Sequence, residues 1–193
     1  MPFNVPIFLT WLRVALIPLV VGVFYLPETL LTRYEQGVAA TAIFIVAALT
    51  DWFDGYLARR LAQTSAFGAF LDPVADKLMV SGALLVLVQL DRVNAVVAFI
   101  IIGREITISA LREWMAQIGA SKSVAVSSLG KIKTTAQMIA IPMLLYYDQF
   151  LYVINTQFWG QILLGVAAVL TVWSMFYYLR KAWPLIKEKG GHL

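Results

Sequence analysis

The chain has 193 residues, 61% hydrophobic and only 13% charged, with no cysteine and a mean hydropathy of +0.79. Soluble domains carry about 25% charged residues, so a water-exposed shell is beyond this composition, and a soluble enzyme, a disordered chain and a disulfide-stapled secreted domain are excluded. A net charge of +4 and a pI near 9.4 come without any dense Lys/Arg run, which argues against nucleic-acid binding and for membrane topology as the reason for the basic balance. An apolar span needs about 20 residues to cross a hydrocarbon core of about 30 Å. The expected fold is therefore an all-α integral membrane protein, one domain over residues 1–193, with six transmembrane helices preceded by a short interfacial N-terminal segment.

Taken in chain order, the first span is predicted over residues 10–26, ending at Pro27 and Glu28. Arg13 lies inside this apolar run and no small-residue cleavage site follows, so the segment reads as a retained span and not as a signal peptide. The second span is predicted over residues 37–50, continuing as helix through Arg59, and the third over residues 72–90. The fourth covers residues 94–115, the fifth lies within 131–147 and the sixth within 158–183. Small polar residues from Gln117 to Ser128 form a loop between spans four and five. Of the 15 Lys and Arg residues, only Arg33 and Arg92 fall on one side of this arrangement. The bias predicts that both termini are cytoplasmic. Trp and Tyr near several span ends read as interfacial anchors.

Acidic residues number eleven, yet four fall within the stretch DWFDGYLARRLAQTSAFGAFLDPVADK, as Asp51, Asp54, Asp72 and Asp76. Asp51 and Asp54 are three apart and Asp72 and Asp76 four apart, so each pair shares a helix face. Two antiparallel helices joined by a short loop would bring the pairs together as an all-oxygen pocket. Crowded carboxylates repel one another, and a hard divalent cation relieves that repulsion. Ionisable groups at membrane depth are costly and mark function. Gly55, Ala58 and Gly68 leave room for a backbone or a flat ligand, a property that tight helix packing also uses.

The pattern Asp51-x-x-Asp54-Gly55-x-x-Ala58-Arg59, eight residues, Gly68-x-x-x-Asp72-x-x-x-Asp76 resembles the signature of the CDP-alcohol phosphotransferases at every fixed position. GREITISALREWMA (Gly103 to Ala116), SLGKIKTTAQM (Ser128 to Met138) and FNVPIFLTWLRVALIP (Phe3 to Pro18) are similar to the bacterial branch of that family with a glycerol phosphate acceptor. The resemblance implies CDP-diacylglycerol as donor, sn-glycerol 3-phosphate as acceptor, and phosphatidylglycerol phosphate and CMP as products. It also implies a homodimer among membrane lipids in the bacterial cytoplasmic (inner) membrane, with the active site on the cytoplasmic side.

An anionic pyrophosphate donor cannot approach four aspartates without cations between them. One or two Mg²⁺ ions are expected, with Mn²⁺ as the alternative, held by Asp51, Asp54, Asp72 and Asp76. Asp76 is the expected catalytic base for the acceptor hydroxyl. The family motif implies that Asp51, Gly55, Ala58, Arg59 and Gly68 line the CDP-diacylglycerol site. The acceptor phosphate needs counter-charge, and Arg clamps phosphate in a bidentate manner. Arg104 and Arg112 share a face of span four, Lys131 and Lys133 open span five, and Thr10 and Arg13 are expected to face the same cavity. Glu105, adjacent to Arg104, is a candidate neighbour in a buried polar network, although neighbouring helix positions do not share a face. Two other readings compete, a transferase of the same family with an inositol phosphate, serine or phosphatidylglycerol acceptor, and a divalent-cation transporter.

Overall fold

A computed structural model describes residues 5–60, 66–119 and 128–189. Six long helices account for most of them: α1 (Val5–Gly22), α2 (Arg33–Arg60), α3 (Ala66–Gln89), α4 (Ala95–Gln117), α5 (Ser128–Tyr146) and α6 (Thr156–Lys189). A 3₁₀ turn, Val23–Tyr25, follows α1. The segment expected ahead of the first span is, from Val5 onward, the opening of α1 itself. One feature of the connections has no counterpart in the sequence expectations. Strands β1 (Gln149–Phe150) and β2 (Ile154–Asn155) pair antiparallel as a small hairpin between α5 and α6.

The helix ends follow local chemistry. Asn94 caps α4 by accepting from the Val96 N–H at 2.8 Å. Ahead of α2, the Thr32 N–H donates to Glu35 Oε2 at 2.8 Å while the Glu35 N–H donates to Thr32 Oγ1 at 3.3 Å. This reciprocal pair is a capping box. The Thr32 backbone and hydroxyl donors hold the Glu35 carboxyl below its ordinary pKa. At the far end of α5, Arg92 donates from Nη1 to the carbonyls of Leu144 and Leu145 at 3.0 and 2.6 Å. Its guanidinium also lies 4.4 Å from the Tyr147 ring centroid. A cation thus satisfies two carbonyls that a helix terminus leaves open.

The bundle core is built by Phe44, Met79, Leu84, Leu87, Ile101, Ile141 and Leu144, all buried. A smaller cluster of Ile108, Met115, Tyr178 and Ala182 joins α4 to α6. Large apolar side chains such as Leu85, Phe99, Val169, Trp173 and Phe176 face outward, an arrangement suited to lipid and not to water. The stretches Phe8–Tyr25 and Thr156–Pro184 are long and apolar enough to cross a membrane.

Close approach of α2 to α5 depends on one missing side chain. A Cβ on Gly37 would stand 2.9 Å from the Leu145 carbonyl oxygen and 3.1 Å from that of Tyr146. Backbone cannot yield as a flexible side chain can. Gly37→Ala is therefore expected to destabilise the bundle by about 1–3 kcal/mol, the usual cost of overpacking. Gly22→Ala, where nothing lies within 4 Å of the added carbon, should leave thermal unfolding in detergent unchanged.

Candidate active site

Three helices converge where α1, α2 and α3 meet. Thr10 and Arg13 are three apart on α1 and both are buried. Thr10 Oγ1 donates to Asp72 Oδ1 at 2.8 Å. Arg13 Nη1 lies 2.8 Å from Asp51 Oδ1 and 3.0 Å from Asp76 Oδ1. A single guanidinium nitrogen thus stands between a carboxylate of α2 and one of α3. Arg13 is 0% exposed, whereas the side chains of Asp51 and Asp76 are 34% and 40% exposed. The acidic groups keep an open side while their cation is sealed in. A buried guanidinium is tolerated only when paired in this way.

Through Arg13 and Thr10, one turn apart on α1, these contacts tie Asp51 and Asp76 to one residue and Asp72 to the other. Thr10 and Arg13, expected to face an acceptor, turn polar atoms toward the carboxylates. Gly68 sits in the first turn of α3. Asp54, Gly55, Ala58 and Arg59 lie on α2 and Lys131 on α5, but their side chains are outside the described residues. Among the described residues, no three carboxylates stand close enough to hold one metal ion.

A cavity of about 580 Å³ opens beside the cluster between α3, α4 and α5. Its charged lining is mixed, with Lys77, Arg104 and Arg112 set against Asp76, Glu105 and Glu113. Asp76 therefore belongs to both places, bonded to Arg13 on one side and bordering the cavity that holds Arg104 and Arg112 on the other. Arg104 is buried and donates from Nη2 to Ser174 Oγ at 3.0 Å, and Ser174 in turn donates to the Thr171 carbonyl at 3.0 Å. Lys133 is buried in an ion pair with Glu105 and is not part of the cavity lining. Arg104 Nη1 lies 3.7 Å from Glu105 Oε1, so these neighbours do meet although adjacent helix positions do not share a face. Both side chains border the cavity, and Lys133, outside its lining, also draws the carboxylate.

Tyr178 was not evident from the sequence. Its ring centroid lies 5.9 Å from the Arg104 guanidinium carbon and 5.4 Å from that of Arg112. One buried ring therefore supports both cavity arginines, within the reach of cation–π attraction. The available signal was Thr171, Ser174 and Tyr178 at spacings of three and four, a polar stripe on one face of an otherwise apolar helix.

A model of the CDP-alcohol phosphatidyltransferase family matches residues 3–173, nearly the whole helical bundle. The chain belongs to this family. Other CDP-alcohol phosphatidyltransferases include the CDP-diacylglycerol–glycerol-3-phosphate 3-phosphatidyltransferase of Haemophilus influenzae, which is 50% identical over 185 residues, covering 94% of this chain and 95% of the relative. The protein of the same name from Escherichia coli strain K12 is 52% identical over 184 residues, covering 94% and 96%. A counterpart in Shigella boydii shows the same identity and coverage. Family membership and the two apolar helices mark a membrane protein. The family match contains all four aspartates, Arg104 and Arg112, and ends just before Ser174 and Tyr178.

Proposed function

We propose that this CDP-alcohol phosphatidyltransferase moves the phosphatidyl group of CDP-diacylglycerol onto sn-glycerol 3-phosphate, giving phosphatidylglycerol phosphate and CMP. The observation that carries the reading is the position of Asp76. Its carboxylate borders a cavity that also presents Arg104 and Arg112, so a base and a phosphate-binding pair face one space. The names of relatives about half identical to the chain point the same way.

In this reading Arg104 and Arg112 hold the acceptor phosphate, with Lys131 adding positive charge at the start of α5 and Lys133 holding Glu105. Asp76 accepts the proton of the acceptor's primary hydroxyl. The freed oxygen forms a bond to the phosphorus that carries diacylglycerol, and the bond from that phosphorus to the CMP oxygen breaks. CMP leaves with the electron pair, and the proton remains on Asp76. Asp51, Gly55, Ala58, Arg59 and Gly68 line the donor side.

Carboxylates of α2 and α3 already converge on one cationic nitrogen, and an all-oxygen donor set suits a hard divalent cation. Asp51, Asp54, Asp72 and Asp76 would hold one or two Mg²⁺ ions, with Mn²⁺ as the alternative. When bound there, such a cation would supply charge neutralisation for the pyrophosphate and for departing CMP. Thr10 and Arg13 hold the carboxylates in place from α1. The six helices cross the bacterial inner membrane with the carboxylates and both termini on the cytoplasmic side, following the distribution of Lys and Arg. The homodimer rests on the family resemblance.

Purified protein supplied with CDP-diacylglycerol and Mg²⁺ should release CMP with sn-glycerol 3-phosphate and not with serine, inositol phosphate or phosphatidylglycerol. Release with one of those acceptors instead would reassign the substrate. Tyr178 offers a finer check. Tyr178→Leu should raise the KM for glycerol 3-phosphate about 2- to 30-fold, the range of one cation–π contact, with the KM for CDP-diacylglycerol unchanged. Tyr178→Phe keeps the ring and should restore the acceptor KM.

A further inference from the structure

The hairpin between α5 and α6 combines a rigid root with a bare apolar tip. At the root, Thr156 Oγ1 donates to the Asp148 carbonyl at 2.6 Å and accepts from the Asp148 N–H at 3.1 Å. Asn155 Oδ1 accepts from the Phe158 N–H at 3.0 Å, and Gln157 Nε2 donates to the Tyr147 carbonyl at 3.0 Å. Gln149 pairs with Asn155 and Phe150 with Ile154. The Val153 N–H then closes the turn on the Phe150 carbonyl at 3.3 Å.

Among the described residues, nothing comparable covers the tip. Leu151, Tyr152 and Val153 are 72%, 94% and 85% exposed, and the flanking Phe150 and Ile154 are exposed as well. Leu151 and Tyr152 also adopt φ of 53° and 59°. Turns with two positive φ values ordinarily take Asn and Gly. Here two large apolar residues occupy the strained positions, so exposed apolar area is kept at a conformational cost. No charged residue occurs between Asp148 and Arg180. The hairpin leads directly into the stretch Thr156–Pro184, which is long and apolar enough to cross a membrane. Other exposed aromatics lie at the same end of the bundle, namely Tyr25, Tyr34, Phe158 and Trp159. Such aromatics are characteristic of the headgroup level of a membrane.

We propose that this hairpin is a lipid-binding wedge, with Leu151, Tyr152 and Val153 inserted into the leaflet at the end of the bundle away from the carboxylates. The occupant is the boundary between headgroups and acyl chains. The hydrogen-bonded root sets the depth of that insertion, and with it the depth of α5 and α6, which carry Lys133, Ser174 and Tyr178.

The chain has no cysteine, so Tyr152→Cys and Val153→Cys each introduce a single thiol for a spin label. Full-length protein would be reconstituted into vesicles of phosphatidylethanolamine and phosphatidylglycerol, with Glu28→Cys as an exposed control at the same end. Power-saturation measurements with oxygen and a water-soluble nickel chelate should place both hairpin labels about 5–10 Å below the headgroups, the depth of interfacial insertion. Their nickel collision rate should be several-fold below that of the control. Nickel accessibility equal to the control would overturn the proposal. Labels shielded from both oxygen and nickel, or short label-to-label distances, would overturn it too, because they would show a protein partner or a second copy on the tip. The two positions test the hairpin separately, so misfolding of one variant leaves the other decisive.

Discussion

Asp76→Asn is expected to lower kcat about 10²- to 10⁴-fold, the usual contribution of a general base, while binding of cytidine nucleotides persists. The substitution preserves volume, so the cavity bounded by Arg104 and Arg112 keeps its shape. Arg13 retains Asp51 at 2.8 Å, so its buried charge stays paired. What disappears is a carboxylate able to accept the hydroxyl proton. CMP release under saturating substrates reads the rate, and titration with a soluble CDP analogue in Mg²⁺ reads the binding. If Asp76→Asn loses nucleotide binding as completely as Asp51→Asn, Asp76 serves the cation and another group is the base.

Asp51→Asn is expected to fail differently. Asp51 lies on α2 with Asp54, on the donor side of the proposed site. Removing its charge should weaken both nucleotide and Mg²⁺ binding, with activity at limiting Mg²⁺ falling more than about 100-fold. Even residues that only support metal ligands cost about 10- to 100-fold when changed, and a direct ligand should exceed that. Raised Mg²⁺ should recover part of the loss, whereas no Mg²⁺ concentration should recover Asp76→Asn. Arg13 keeps Asp76 at 3.0 Å, so thermal unfolding should change little. Near-normal turnover of Asp51→Asn at limiting metal would remove Asp51 from the cation site.

Much of the helical order was legible because polar marks interrupt the apolar runs. Asp91 and Arg92 separate α3 from α4, and Pro27 and Glu28 end the first run. The hairpin was not legible, because Leu151 and Tyr152 occupy positions where turn chemistry calls for Asn and Gly. Tyr178 was hidden for a different reason. An aromatic residue near the end of an apolar helix ordinarily reads as an interfacial anchor, and only burial against Arg104 and Arg112 distinguishes it.

By itself the sequence determined relations within each helix, because a period of 3.6 residues decides which side chains share a face. The pairing of Asp51 with Asp54 and of Asp72 with Asp76 is of that kind, as is the common face of Arg104 and Arg112. Relations between helices depend on crossing geometry and depth, which no local periodicity encodes. Only the tertiary structure placed Arg13 between Asp51 and Asp76, the latter 63 positions away, and set Ser174 against Arg104 across a separation of 70. It also put Asp76 on the wall of the cavity that Arg104 and Arg112 share. Side-chain packing across three and four helices decides those positions, since a buried guanidinium must find its carboxylates wherever the folded chain brings them.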